Sequence, residues 1–211
     1  MAENRQDQIS PRVIAHASRG RQRTSAKISP GFLDEIRPFA INQGFVDIQL
    51  LETAQIVTGH WVGLKCRYGC AKYDTNWCCP PAAPGLETVR EILSEYEVAL
   101  LLISENVNSH FYRNSFQKRH AQVKHWKAVA SMERRLFLMG FYKVFGLSAE
   151  TCAICKQCAY PKRCKFPSEK RPSLEAFSID VFQTLSNIGL SAGLARKVED
   201  HYHSYSLILL A

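Results

Sequence analysis

The chain lacks any hydrophobic run long enough to cross a bilayer. Its longest apolar stretch, Val98 to Ile103, falls far short of the roughly 20 residues that a membrane helix needs. The first residues, MAENRQDQISPRVIAHASRGRQRT, are polar and basic, with no apolar segment leading to a cleavage site, which predicts a cytoplasmic protein. Missing too are the glycine-rich GxGxxG and phosphate loops and the HExxH zinc motif, so no nucleotide site or hydrolytic metal helix is written in the chain. What remains is ordinary in bulk. At 211 residues, 46% hydrophobic and 22% charged, the chain suits one soluble domain with a sizeable core.

What is abundant is cysteine. Eight are present, in two tight groups: Cys66, Cys70, Cys78 and Cys79, then Cys152, Cys155, Cys158 and Cys164. Disulfides suit neither the cytoplasmic character of the chain nor the adjacent pair Cys78–Cys79. Unliganded cysteines behaving as small hydrophobes have no reason to cluster four within 13 residues. Metal is the better explanation. Zinc sites favour cysteine pairs separated by a longer loop, whereas tandem Cys-x2-Cys-x2-Cys is the habit of ferredoxin-type loops. The expectation is therefore iron–sulfur, one or two 4Fe–4S clusters, with zinc as the alternative.

The formal charge of +8 counts every cysteine as a neutral thiol. A 4Fe–4S cluster with four thiolates carries about −2, so two would lower the total to roughly +4. A nucleic-acid reading from basicity alone is weakened accordingly. Lys156, Lys162, Arg163 and Lys165 would favour thiolates in the second group, or serve simply as solvated loop charges.

Along the chain, residues 1–28 hold five arginines and one lysine without periodicity and read as a disordered basic arm before a metal-binding domain over 29–211. Phe32, Ile36, Phe39 and Ala40 recur at helical spacing up to Gly44, with Pro38 predicting a kink or early stop. Val46, Ile48 and Leu50 alternate as a strand, and Trp61 to Leu64 reads as a second strand leading to Cys66. A loop carries the first cysteines. Leu86, Val89, Leu93 and Tyr96 mark a helix, and Val98 to Ile103 a central strand covered on both faces. Phe116, Val123, Trp126, Ala130 and Phe137 form one stripe of a long helix. After the second cysteine loop, Pro172 and Ser173 start a helix with Leu174, Phe177, Val181 and Leu185 inward, and Tyr205 to Leu210 closes as a strand. The expected architecture is a single α/β domain with a small mixed sheet, flanking helices and both cysteine loops near one edge.

The segments LKCRYGCAKYDTNWCCPPAAPGLETVREILSEY and LSAETCAICKQCAYPKRCKFPSEKRPSLEAFSIDV, followed by a short terminal strand, closely resemble a family of small prokaryotic cysteine-rich proteins described as predicted metal-binding proteins of unknown function. The resemblance spans roughly Phe32 to Leu210. It implies that Cys66, Cys70 and Cys79, with all four cysteines of the second loop, are metal ligands. The position of Cys78 is often not cysteine in that family, which makes it an optional ligand.

Two wirings follow. In the simple one, Cys152, Cys155, Cys158 and Cys164 close one cluster, while Cys66, Cys70 and Cys79 hold another with Cys78, a different group or nothing at the fourth iron. In the crossed one, as in two-cluster ferredoxins, Cys79-Pro80 completes the triplet and Cys164 serves Cys66 and Cys70. The x5 gap before Cys164 favours the simple wiring. His110, His120 and His125 read as surface or capping residues rather than acid–base groups, and His201 and His203 share a strand face but have no motif that would make them ligands. Tyr68, Tyr73 and Trp77 are placed to shield a cluster; Asp180 reads as helix surface. Three functions compete: a redox carrier with a partner protein, an enzyme with an open-iron cluster doing non-redox chemistry such as desulfuration, and a zinc-stabilised nucleic-acid-binding module.

Overall fold

The computed structural model describes residues 28–107, 115–193, 196–197 and 199–211; residues 1–27 of the basic arm and His110 lie outside the described residues. Helix α1 (Phe32–Gln43) buries Phe32, Ile36 and Ala40 along one stripe and ends at Gly44, whose φ of 98° is the left-handed cap that glycine adopts without strain. The early stop that Pro38 suggested does not occur, and α1 runs on through it. The proline is exposed, so the Asp34 carbonyl that it leaves without a helical donor faces the solvent side of a stripe pinned by core contacts.

Strand β1 (Asp47–Glu52) follows, then α2 (His60–Gly69), α3 (Leu86–Ser94), β2 (Val98–Val107), α4 (Ser115–Leu138), β3 (Phe145–Leu147), α5 (Val181–Asn187) and β4 (His201–Leu210). The sheet order is β1-β2-β4-β3, and all three ladders are antiparallel. The single α/β domain is as expected; the sheet is antiparallel rather than mixed, with one isolated parallel bridge between Ser148 and Ser173.

Strand β2 is central and explains its own composition. Leu100 and Leu102 face a core shared with α1 and α4, through Ile36, Val129, Met132 and Leu136. Ala99, Leu101 and Ile103 face a second core with Val89, Leu93, Leu174, Phe177, Ile179 and Leu185. Alternate side chains therefore feed two cores, which requires an unbroken apolar run.

Other expectations change. Trp61 to Leu64 is helical, not a strand: only Val62 is buried there, while Trp61 and Leu64 stay exposed. On α4 the buried stripe is Trp126, Ala128, Val129, Met132 and Leu136, and Phe137 is half exposed, so the core-facing side is rotated from the predicted one. The helix expected from Pro172 is divided into a short 3-10 turn (Glu175–Phe177) and α5, separated by Ser178 at φ 55°. Asp180, read as helix surface, is the N-cap of α5, its Oδ1 accepting the Gln183 N–H at 3.0 Å. No helix among the described residues is long and apolar enough to cross a membrane.

Candidate metal centre

Helix α2 sets the first cysteines. Val62 and Cys66 are four residues apart on one helical face; Val62 anchors that face, and Cys70 follows just past the helix end. The loop then doubles back, with the Asp74 N–H donating to the Pro80 carbonyl at 2.9 Å. Buried Asn76 organises the paired cysteines: its side-chain oxygen accepts the Cys78 N–H at 2.9 Å, and its carbonyl accepts the Cys79 N–H at 3.2 Å. Cys78 and Cys79 are both buried.

The second loop leaves the end of the edge strand β3. Trp126 fixes its start by donating to the Ala149 carbonyl at 3.1 Å, and Arg119 Nη2 donates to the Ile154 carbonyl at 2.8 Å, between Cys152 and Cys155. The two loops are cross-linked. Trp77 Nε1 donates to the Lys162 carbonyl at 2.8 Å, Tyr160 Oη to Asp74 at 3.0 Å, and Asn76 Nδ2 to the Cys152 carbonyl at 3.4 Å. The Trp77 and Tyr160 rings meet edge to face at 5.1 Å, with Lys170 Nζ 5.0 Å above Trp77.

The eight thiols divide between two recesses. Cys66, Cys70 and Cys79 line a cavity of about 330 Å³ together with Trp61, Lys65, Tyr73, Glu175 and Phe182. Cys152, Cys155, Cys158 and Cys164 line the other, with Trp77, Lys165, Phe166 and Lys170. Cys79 thus lines the recess of Cys66 and Cys70, and Cys164 that of its own loop, while Cys79 also lies close enough to Cys152 and Cys158 for their charges to raise its pKa. Cys78 departs from its sequence neighbours: it lines the second recess and is hydrogen-bonded to Cys152.

The electrostatics follow from burial and from sulfur meeting sulfur. Burial, then the nearby Cys70 and Cys66, push the Cys79 thiol up to about 12. Burial also raises Cys66, helped by Cys70 and Glu175. The Cys78–Cys152 hydrogen bond moves its two ends in opposite directions, holding the proton on Cys78 and lowering Cys152 as the acceptor. Cys155 is raised by desolvation and neighbouring sulfurs, against Lys165. Among the described residues, no three or more His, Cys, Asp or Glu side chains close on a single metal ion as placed. The donor set itself is all thiol, four from each loop, and fits soft, thiolate-ligated iron or zinc.

Of the other sequence candidates, Tyr73 and Trp77 do line the recesses, but Tyr68 is 78% exposed and lines neither. His120, His201 and His203 are exposed and His125 is half-buried, and no histidine lines either cysteine recess. The spacing of the cysteines could not reveal Arg119, Lys170, Glu175 and Phe182, which come from other segments. Gly189, Ser191 and Gly193 match a GxSxG spacing, yet they follow helix α5 instead of a strand and form no nucleophile elbow.

A family model described as predicted metal-binding protein (DUF2284) matches residues 49–210, which contain every cysteine and three of the four strands complete. The chain belongs to this family. Metal binding is the property predicted for its members, and the matched residues include both cysteine loops. No curated protein and no solved structure matches the chain.

Proposed function

We propose that this DUF2284 member is an iron–sulfur protein with a redox role, its clusters held by the cysteines of the two cross-linked loops. One observation carries the reading: all eight thiols line two recesses, Cys66, Cys70 and Cys79 in one, and the four cysteines of the second loop together with Cys78 in the other. A cluster fully ligated by cysteine supplies reversible one-electron transfer.

The chain's own residues prepare the site for it. Cys152, Cys155, Cys158 and Cys164 provide four thiolates over a short loop, and Lys165 offsets negative charge at Cys155 as Lys170 does at Cys78 in the same recess. Trp77 and Phe166 wall the recess against water. Arg119 and Trp77 hold the loop backbone, the outer support that orients metal ligands. Exposed Lys156, Lys162 and Arg163 on the same loop suit an acidic redox partner protein.

A second reading has its own observation. Cys66, Cys70 and Cys79 share a wall with a cavity of about 330 Å³, as an enzyme with an open-iron cluster requires for non-redox chemistry such as desulfuration. Electron paramagnetic resonance of dithionite-treated protein separates the two. The redox reading expects signals from one or two reduced clusters. A cluster that no accessible potential reduces would exclude electron transfer and leave the open-iron enzyme.

A further inference from the structure

The cavity beside Cys66, Cys70 and Cys79 has a chemistry of its own. Trp61, Val62, Tyr73, Ile179, Val181 and Phe182 give its lining an apolar character, and a cluster on Cys66, Cys70 and Cys79 would share its volume of about 330 Å³ with an occupant, which must therefore be small. Its walls come from four segments, namely α2, the first cysteine loop, Glu150 with Thr151, and residues 173–182, and the first and last of these are tied together by backbone hydrogen bonds. Helix α2 supplies Trp61, Val62 and Cys66. The Asp180 N–H donates to the Val57 carbonyl at 2.8 Å, and the Gly59 N–H to the Ser178 carbonyl at 2.9 Å, tying the approach to α2 to the start of α5. The cavity is therefore built into the fold.

Three charged residues lie on the lining. Lys65 Nζ sits over the Trp61 ring at 5.5 Å, Glu150 is hydrogen-bonded by Gln122, and Glu175 stands close enough to Cys66 to raise its pKa. Two carboxylates against one ammonium disfavour a polyanionic occupant such as a nucleotide or polycarboxylate. At the same time Trp61 and Phe182 are 45% and 52% exposed on the walls of this apolar space. Covering those rings is the favourable term available to an occupant.

We propose that this cavity binds a compact, apolar molecule of about one aromatic ring, carrying a single soft donor atom that it presents to the three-cysteine wall. The assignment rests on the iron–sulfur reading for Cys66, Cys70 and Cys79, since a soft donor needs an open metal position there. Trp61 and Phe182 select the ring, and the three-cysteine wall selects the donor.

The test uses full-length protein reconstituted without oxygen, with iron and acid-labile sulfide counted first. Benzyl mercaptan and 2-mercaptoethanol are then titrated separately, their affinities read from the cluster's absorption and paramagnetic resonance spectra. Both offer a thiol; only the first offers a ring. Benzyl mercaptan is expected to bind about tenfold or more tightly, the gain that burying one ring supplies. Phe182→Ala and Trp61→Ala, both partly exposed side chains, should keep their iron content and lose most of that preference. Equal affinities in the parent protein, or a preference unchanged in both variants, would overturn the proposal while leaving the cluster reading intact. Absence of iron and sulfide would overturn both.

Discussion

His125 sits on α4 with each ring nitrogen against a hydroxyl of the sheet: Ser104 Oγ lies 3.1 Å from Nδ1, and Ser206 Oγ 2.8 Å from Nε2. Either serine can donate or accept, so the neutral ring is fully satisfied in either tautomer. Burial is what penalises the charged ring, holding its pKa down to about 4 against an ordinary 6.5. Glu105, Lys118, Lys124 and Glu150 line the same neighbouring cavity, but desolvation is the resolved cause of the shift. The unfolded chain takes up a proton at this residue as pH falls below about 6.5, while the folded chain resists until about 4. Stability is accordingly lost with falling pH across that window, by about 2 kcal/mol between pH 7 and pH 5 and about 3 kcal/mol by pH 4. Urea denaturation of the parent and His125→Gln at a series of pH values measures it. Cysteine protonation acts on both proteins alike, so the difference between their pH profiles isolates the ring. The parent should lose about 2 kcal/mol more than the variant between pH 7 and pH 5. Parallel profiles, or a ring that titrates near its ordinary value by NMR, would refute the reasoning.

Glu133 accepts from Arg171 Nε and from the Gly146 N–H, both at 2.6 Å, and both side chains of the ion pair are largely buried. Glu133→Gln leaves the guanidinium short of its counter-charge and should cost about 3 kcal/mol in urea denaturation. Asp180→Ala removes the N-cap of α5 and should cost about 1 kcal/mol by the same assay. Cys155→Ser should empty the second recess of iron and lower the melting temperature, because binding there is coupled to folding. Cys78→Ser should be the mildest of the cysteine replacements in iron content, and complete loss of a cluster in that variant would make Cys78 an obligatory ligand.

How far the sequence carries depends on what each element reports about itself. The run Val98 to Ile103 announced a doubly covered strand because alternate side chains enter separate cores, and Gly44 announced a helix end because its backbone conformation favours glycine. The cysteine spacing pointed to one loop with four thiols, and the fold keeps those four in one recess. Strand β3 is only three residues long, too short for any periodicity to show, yet it launches the second loop. Trp61 and Leu64 suggested a strand through their apolar character, but α2 leaves both exposed on a helix whose burial rests on Val62. Cys78 was out of reach for a different reason. Its partner Cys152 is 74 residues away, and no local spacing encodes which of two adjacent cysteines turns toward a distant loop. Arg119 and Lys170 act on the site through tertiary contacts alone.

The central claim is that the thiols of these two loops hold iron–sulfur clusters. It is tested most directly by counting iron, acid-labile sulfide and zinc per chain in protein made and purified without oxygen. The account predicts iron and sulfide in equal amounts, about four or eight of each, in a brown protein absorbing near about 400 nm. Stoichiometric zinc at both sites, with no iron taken up on anaerobic reconstitution, would contradict it.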